Sequence, residues 1–258
     1  MREVKIQDIL DLIERVAPAA NADEWDNVGL MCGRRNAKVT KVLLCVDVTT
    51  DVIAEAIDTG CDLIVAHHPF LFEKINLIDD RNAKGRQILT LAEHKIAVIS
   101  AHTNADSATG GMNDYLAGLL SLQDINTTEF SRYLRVGTLA TPLSVAELAQ
   151  TVKTKLSLKN TFVLGNLTDL VARVGVYTGG ASVDELIAAK SVFDVVVTGE
   201  FGYHKAIDLK EEGVRAILCG HFGSELLFCW WLKDILARAL PTLDVSVAER
   251  QGEPLTVV

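Results

Sequence analysis

The sequence predicts an α/β protein built from two similar lobes. The pattern strand, helix, strand, helix, strand occurs twice along the 258 residues. Apolar strands are predicted at residues 41–48, 62–66, 96–100, 174–177, 193–197 and 215–219. Continuous apolar strands that alternate with helices are typical of a largely parallel sheet covered on both faces. The two halves share a pattern and not residues, so the repeat is a weak one.

Helical periodicity and capping signals place helices between and around these strands. Apolar residues three and four positions apart predict a first helix that ends before Pro18. Ser144 and Glu147 have the spacing of a capping box, which predicts the start of an amphipathic helix. Further helices are predicted at 51–59, 86–94, 183–190, 205–212 and 226–240, and a last strand at 243–247.

The composition is that of an ordinary globular protein with an acidic charge balance. Hydrophobic residues make up 49% and charged residues 23%, and the formal net charge is −9. This charge argues against a nucleic-acid scaffold or a polybasic membrane binder. No segment has the ~18 uncharged apolar residues of a membrane span. The five scattered cysteines lack a CxxC pair, which favours free thiols and a cytoplasmic protein over disulfides or a zinc knuckle.

Histidines mark the ends of the predicted strands. Ligands collect at the carboxyl ends of strands in open parallel sheets. Five of the six histidines fall at or just beyond such ends: His67, His68, His102, His204 and His221. Successive residues of a strand point to opposite faces, so the adjacent His67 and His68 are expected to bind two different ions. This favours a pair of metals that straddle the strand end.

Carboxylates accompany these histidines at a fixed spacing. His221 and Glu225 stand four residues apart where a helix is expected to begin, and His102 and Asp106 have the same spacing. Each feature also has a structural interpretation. Residues 67–69 could form a polar turn, Glu225 could be a first-turn carboxylate, and Asp106 could be an N-cap or Asx-turn residue. Their joint occurrence at strand ends expected to be neighbours favours a metal site.

The predicted ligands indicate catalytic rather than purely structural metal. Imidazole and carboxylate ligands without thiolate suit Zn, Fe, Mn, Ni or Co. Open coordination positions would acidify a bound water from a pKa of ~15.7 toward ~7 and supply hydroxide for hydrolysis. We therefore expect two divalent ions per chain, with His102 as an orienting or proton-transfer residue.

Two other acidic residues and one histidine receive weaker interpretations. Glu200 ends the predicted strand at 193–197 and is a candidate for proton transfer, although a surface carboxylate is the ordinary alternative. His204 could lie near Glu200 in the first turn of the next helix. Asp26 is interpreted as a turn or cap residue.

Five motifs along the chain belong together: Glu24–Leu30, Leu63–Pro69, Ala101–Asp106, Val197–Glu200 and Gly220–Glu225. They resemble the GTP cyclohydrolase I type-two homologue family, also called the Nif-three-like proteins. The likeness covers essentially the whole length, and the chain is of the short form. It implies a two-lobed α/β protein with a dinuclear metal cleft between the lobes, assembled into a ring-shaped homohexamer of dimers. The ligands implied by the matching motifs are His67, His68, Asp106 as the bridging residue, His221 and Glu225, with His102 beside them.

We expect a metal-binding lobe of residues 1–126 and 217–258 and a second lobe of residues 127–216.

Two functional hypotheses follow from these expectations. The first hypothesis is a dinuclear-metal-dependent hydrolase of a small, nucleotide-like substrate. The family name suggests opening of the guanine ring of GTP, and the motifs place no Lys or Arg next to the ligands, which disfavours phosphoryl chemistry. The alternative is a non-catalytic metal-binding regulatory or interaction protein that forms a ring-shaped oligomer.

Overall fold

The computed structural model describes residues 3–256, which divide into two compact units. Unit 1 contains residues 3–111 and 228–256, and unit 2 contains residues 112–227. The chain therefore leaves unit 1, completes unit 2, and returns to finish unit 1.

Strands and helices alternate through most of the described chain. The strands are β1 Gly29–Cys32, β2 Lys41–Cys45, β3 Leu63–Ala66, β4 Ala97–Ser100, β5 Gln123–Thr127, β6 Arg135–Ser144, β7 Phe162–Leu164, β8 Leu170–Gly180, β9 Val195–Glu200, β10 Ala216–Leu218 and β11 Asp244–Val247. The helices are α1 Ile6–Val16, α2 Thr50–Asp58, α3 Ala83–Glu93, α4 Thr103–Ser107, α5 Met112–Leu119, α6 Val145–Lys155, α7 Val183–Ala188, α8 Tyr203–Glu211, α9 His221–Glu225 and α10 Leu227–Ala239. A short 3-10 helix covers Ala19–Asn21.

Unit 1 is built on a five-stranded sheet with the order β1-β4-β3-β2-β11. Strands β2, β3, β4 and β11 are parallel, and β1 pairs antiparallel with β4 at one edge. Ile53 of α2 and Leu91 of α3 pack against Leu43, Ile64 and Val98 of the sheet. All four residues of β3 are buried, as expected for a central parallel strand that is covered on both faces.

Unit 2 is built on a six-stranded sheet with the order β5-β6-β8-β9-β10-β7. The three strands β8, β9 and β10 are parallel, and the other three pair antiparallel. Successive residues of β9 serve different cores. Val195 and Val197 pack with Val152 of α6, whereas Val196 packs with Leu186 of α7 and Leu209 of α8. This alternation follows from the two-residue period of a strand.

The predicted fold class is confirmed, since both units are α/β. Helix α1 ends before Pro18 as predicted, and the Ser144–Glu147 capping box forms at the start of α6. The antiparallel strands β1, β5, β6 and β7 were not predicted. Strands β1 and β7 are only four and three residues long, and β5 is polar and largely exposed. Strand β6 is longer, but few of its residues are buried. None of the four has the continuous apolar run that marks a buried strand.

The structure divides the chain at residues other than the predicted 126/127 and 216/217. Residues 112–126 belong to unit 2 because α5 packs on β6 and β8, and because β5 pairs with β6. Residues 217–227 also belong to unit 2, since α9 packs on β8 and β9. As a result His221 and Glu225 lie in unit 2, and not in the lobe to which the sequence analysis assigned them.

The cysteines of the described chain are free thiols, as expected. All five cysteines are free, and four of them are buried. Burial raises the pKa of Cys219 and of Cys229 to about 12, so both thiols stay protonated. Across residues 3–256 no helix combines the length and the apolar character needed to cross a bilayer.

Candidate metal centre

Three histidines of unit 1 gather beyond the carboxyl ends of β3 and β4. His67 and His68 follow Ala66, the last residue of β3, and His102 lies two residues beyond the end of β4. One ring nitrogen of each histidine lies within 4.8 Å of the others. Parallel pairing of β3 with β4 aligns Ala66 with Ser100, which brings the two strand ends to the same place.

The adjacent rings of His67 and His68 lie closer together than strand alternation predicts. Their ring centroids are 5.1 Å apart, with 37° between the ring planes. The strand has already ended at Ala66, so residues 67 and 68 no longer follow the two-residue period of a strand. Both side chains can therefore reach the same group.

His67 has a tautomer that the backbone fixes. Its ring is fully buried, and Nδ1 lies 3.0 Å from the carbonyl oxygen of Ala101. A carbonyl only accepts hydrogen bonds, so Nδ1 carries the hydrogen and donates it. Nε2 then carries the lone pair, and it lies 3.7 Å from Oδ1 of Asp106. Two ligand atoms that each bind one ion at about 2.1 Å lie about 3–4 Å apart, so this spacing fits a shared metal.

His68 and His102 are each held by an aspartate. Nδ1 of His68 lies 2.8 Å from Oδ1 of Asp47, and Nδ1 of His102 lies 3.0 Å from Oδ1 of Asp26. Strand register explains both pairs. Cys45 of β2 is aligned with Ala66 of β3, which puts the residues two positions further along, 47 and 68, side by side.

The Asp26 carboxylate is ionised and its side chain is shielded from solvent. The interpretation of Asp26 as a turn or cap residue did not predict this environment. Gly29 at the start of β1 pairs with Ser100 at the end of β4, so the residues before β1 meet those after β4. Burial raises the pKa of Asp26, but hydrogen bonds from His102 and Thr103 outweigh burial and lower that pKa to about 2. The Asp26 carboxylate therefore keeps its negative charge behind the His102 ring.

Unit 2 contains a histidine and two carboxylates at the start of α9. Nε2 of His221 lies 3.0 Å from Oε2 of Glu225, and Nδ1 lies 3.0 Å from Oε1 of Glu200. Glu225 is buried, whereas the Glu200 side chain is 60% exposed. The structure thus brings Glu200 to the outer nitrogen of His221, on the opposite side of the ring from Glu225.

Gly179 keeps room for the histidine–glutamate pair of unit 2. It lies near the end of β8 with a φ of +66°, and a Cβ atom there would collide with Oε1 of Glu225. The same Cβ would lie 3.6 Å from Nε2 of His221. The neighbouring Gly180 has no atom within 4 Å of such a Cβ. A side chain at residue 179 would therefore fill the space in which the His221 nitrogen and the Glu225 oxygen meet.

The four histidines share one arrangement of their ring nitrogens. In each ring Nδ1 faces an oxygen acceptor, which is a carboxylate or a backbone carbonyl. Histidines that bind metal almost always donate one ring N–H to such an acceptor, which fixes the tautomer and leaves the other nitrogen to bind the ion. Together with nearby carboxylates and the absence of thiolates, this donor set fits a divalent transition metal.

Comparison with known proteins places the chain in a family. A sequence model described as "Duf34/NIF3 (NGG1p interacting factor 3)" matches residues 4–254. The chain belongs to the DUF34/NIF3 family. The resemblance inferred from the motifs is thereby confirmed.

Several relatives of this DUF34/NIF3 protein match nearly end to end. It is 36% identical over 228 residues to "GTP cyclohydrolase 1 type 2 homolog" of Clostridium perfringens, covering 86% of this chain and 87% of that protein. It is 29% identical to "NIF3-like protein 1" of Drosophila melanogaster, covering 98% and 89%. The solved structure of reduced HcgD from Methanocaldococcus jannaschii superposes with a TM-score of 0.84 at 27% identity, covering 96% and 99%. A Bacillus cereus protein related to NIF3 has the same fold, with a TM-score of 0.89 at 23% identity over both full chains.

Two remaining expectations about this DUF34/NIF3 chain concern His204 and nearby positive charge. His204 lies in the first turn of α8, where its ring contacts Tyr203, and it belongs to neither of the histidine and carboxylate clusters described above. The motifs offered no basic residue beside the ligands, but Lys84 interacts electrostatically with Asp47, the partner of His68. Burial lowers the pKa of Lys84, whose Nζ lies 4.0 Å from the Phe70 ring centroid.

Proposed function

We propose that this DUF34/NIF3 protein is a metal-dependent hydrolase that acts on a small, nucleotide-like molecule. We infer two divalent ions per chain. The proposed ligands are His67, His68 and Asp106 of unit 1 and His221 and Glu225 of unit 2. The observation that carries the proposal is the shared arrangement of the four histidines, each with Nδ1 held by an oxygen acceptor. A histidine with only a structural role has no need for the same nitrogen to be anchored in every case.

The bound metal would act as a Lewis acid toward water and toward the electrophilic atom of the substrate. Proton transfer would then fall to His102. Asp26 holds Nδ1–H of His102 in place, so Nε2 is oriented to accept a proton from the attacking water and to return it to the leaving group. The negative charge of Asp26 also stabilises the imidazolium form during the transfer.

Glu200 stays a predicted proton-transfer residue, and the structure supports an additional positioning role. Its carboxylate accepts a hydrogen bond from Nδ1 of His221, which directs Nε2 of the same ring toward Glu225. Because the Glu200 side chain is exposed, it can exchange protons with water while it holds the ring.

The printed names of the relatives suggest the first substrates to test. Several are called GTP cyclohydrolase 1 type 2 homologs, so GTP and related nucleotides come first. Hydrolytic opening of the guanine imidazole ring would place C8 next to the metal site and would release that carbon as formate.

Metal content and turnover of matched variants test the proposal. We expect about two ions per chain in gently purified protein, and a loss of about one ion in His68→Ala. The matched control is His94→Ala, since His94 is an exposed histidine at the end of α3. His102→Asn should keep the metal and slow nucleotide hydrolysis by about 10²-fold or more, as expected for a proton-transfer residue. The hydrolase proposal would be refuted if the purified protein bound no metal. It would also be refuted if the metal-loaded protein released neither formate nor phosphate from any nucleotide.

The ring-shaped homohexamer implied by the family resemblance also stays a proposal. Light scattering coupled to size-exclusion chromatography measures the mass of the assembly directly. A mass of one chain at micromolar concentration would contradict it.

A further inference from the structure

An aromatic cavity adjoins the His102–Asp26 pair within unit 1. It has a volume of about 700 Å³, and its lining includes Trp25, Asp26, Phe72, Ile75 and Ile78. This volume lies within the range of sites that hold small molecules, which are mostly apolar with a few polar groups. We call it the Trp25 cavity.

The aromatic rings of this cavity face open space. Trp25 is 60% exposed and Phe72 is 56% exposed. The Trp25 ring lies 5.8 Å from that of Phe72 and 5.9 Å from that of His102, edge to face in both cases. With 60% of its surface exposed, the Trp25 side chain keeps surface available for stacking. Apolar groups exposed together in this way are typical of a binding site.

Polar groups on the same lining suit a nucleotide. The Glu73 carboxylate can accept hydrogen bonds from the N–H and amino groups on the edge of a base such as guanine, and the Lys74 ammonium can pair with a phosphate. Stacking combined with hydrogen bonds to the base edge is the usual way in which proteins hold a single base. Asp26 lines the cavity and also holds His102, so a bound base would lie beside the proposed proton-transfer residue.

We propose that the Trp25 cavity binds the purine base of the substrate by stacking on Trp25 and Phe72. The inference deepens the proposed function, because it rests on a nucleotide-like substrate at the same site. It assigns base recognition to the segments before β1 and after His68, which are separate from the metal ligands themselves.

Binding of guanosine monophosphate to the metal-loaded, full-length protein tests the inference by calorimetry. Base stacking on an aromatic side chain is worth enough that its removal weakens binding by about 10-fold or more. Trp25→Ala and Phe72→Ala should each raise Kd by this factor, whereas Trp25→Phe should restore most of the affinity. Ribose 5-phosphate, which lacks the base, should bind wild type and variants equally, and metal content should not change.

Trp230→Ala is the matched control, since Trp230 is another exposed tryptophan of unit 1 and does not line the cavity. The inference is overturned if wild type does not bind guanosine monophosphate at millimolar concentration, or if Trp25→Ala binds it with unchanged affinity. Equal weakening by Trp230→Ala would also overturn it. Base-dependent binding without any nucleotide turnover would instead support the cavity and refute the hydrolase, so the two failures are distinguishable.

Discussion

Replacement of Asp26 by Asn is expected to destabilise unit 1 by between about 1 and 2 kcal/mol at neutral pH. The Asp26 side chain has no solvent-exposed surface and accepts hydrogen bonds from His102 and Thr103. Burial opposes these bonds, yet the pKa falls from 3.8 to about 2. Each pKa unit corresponds to about 1.4 kcal/mol. The whole shift corresponds to about 2.5 kcal/mol. The expected loss is smaller, because the amide oxygen of Asn can still accept one of these hydrogen bonds.

The pH dependence of this stabilisation has a definite sign. Because the pKa of Asp26 is lower in the folded state, its stabilisation is complete above the ordinary pKa of 3.8 and is lost as the pH falls toward 2. All three tryptophans, Trp25, Trp230 and Trp231, lie in unit 1. Tryptophan fluorescence during urea unfolding of the metal-free protein therefore reports on this unit. The difference in unfolding free energy between wild type and Asp26→Asn should be constant from about pH 5 to pH 7 and should shrink below about pH 4.

Asp80→Asn is the control for removal of one negative charge, because Asp80 is an exposed aspartate of the same unit. It should change the unfolding free energy by less than about 0.5 kcal/mol, as for most surface substitutions. If Asp26→Asn were as stable as wild type at pH 7, or if its deficit persisted unchanged at pH 2, the account of the Asp26 carboxylate would be wrong.

Three further predictions concern unit 2 and the metal. Gly179→Ala should displace the Glu225 carboxylate and strain the backbone, which lowers the metal content and destabilises unit 2 by about 1–3 kcal/mol. The control Gly180→Ala should change neither the metal content nor the stability. Metal analysis measures the first effect, and hydrogen exchange measures the second. Arg135→Met removes the partner of Asp114 from a buried ion pair and should cost about 3 kcal/mol; unchanged exchange protection in unit 2 would contradict this. Removal of metal by a chelator should lower Tm, by an amount equivalent to about 3 kcal/mol for ions present at 100 times Kd. It should also abolish turnover and leave the far-ultraviolet circular dichroism spectrum unchanged. Unfolding of the protein on chelation would favour a purely structural metal.

The sequence predicted those elements in which local pattern and burial agree. Strand β3 is a continuous apolar run, and α1 repeats apolar residues at helical spacing. Strand β5, with the sequence Gln-Asp-Ile-Asn-Thr, carries no such pattern, because it lies at the sheet edge and is mostly exposed. The position of β5 is determined by its pairing with β6. Because β5 was not predicted, the expected first lobe extended to residue 126 and included residues that belong to unit 2.

The histidines of the candidate centre could be predicted from sequence, but most of their oxygen partners could not. Adjacent histidines before a proline are visible in one segment. Asp26 and Asp47 lie 76 and 21 residues from the histidines that they hold. Both contacts depend on strand register, which a single sequence does not specify for strands joined by long connections. Of these two aspartates, only Asp47 could have been proposed as a histidine partner from sequence, because it lies two residues beyond a buried strand.

The position of β11 has a consequence for synthesis on the ribosome. This strand pairs with β2 and closes one side of the first sheet, yet it is made only when translation reaches residue 244. At about 5–20 residues per second, the open side of β2 waits for roughly 10–40 s while residues 112–227, which are contiguous, emerge and fold. A strand with unpaired amides and carbonyls can recruit other chains. The unfinished chain therefore carries an unpaired strand edge during that interval, and chains that terminate before residue 244 are expected to aggregate.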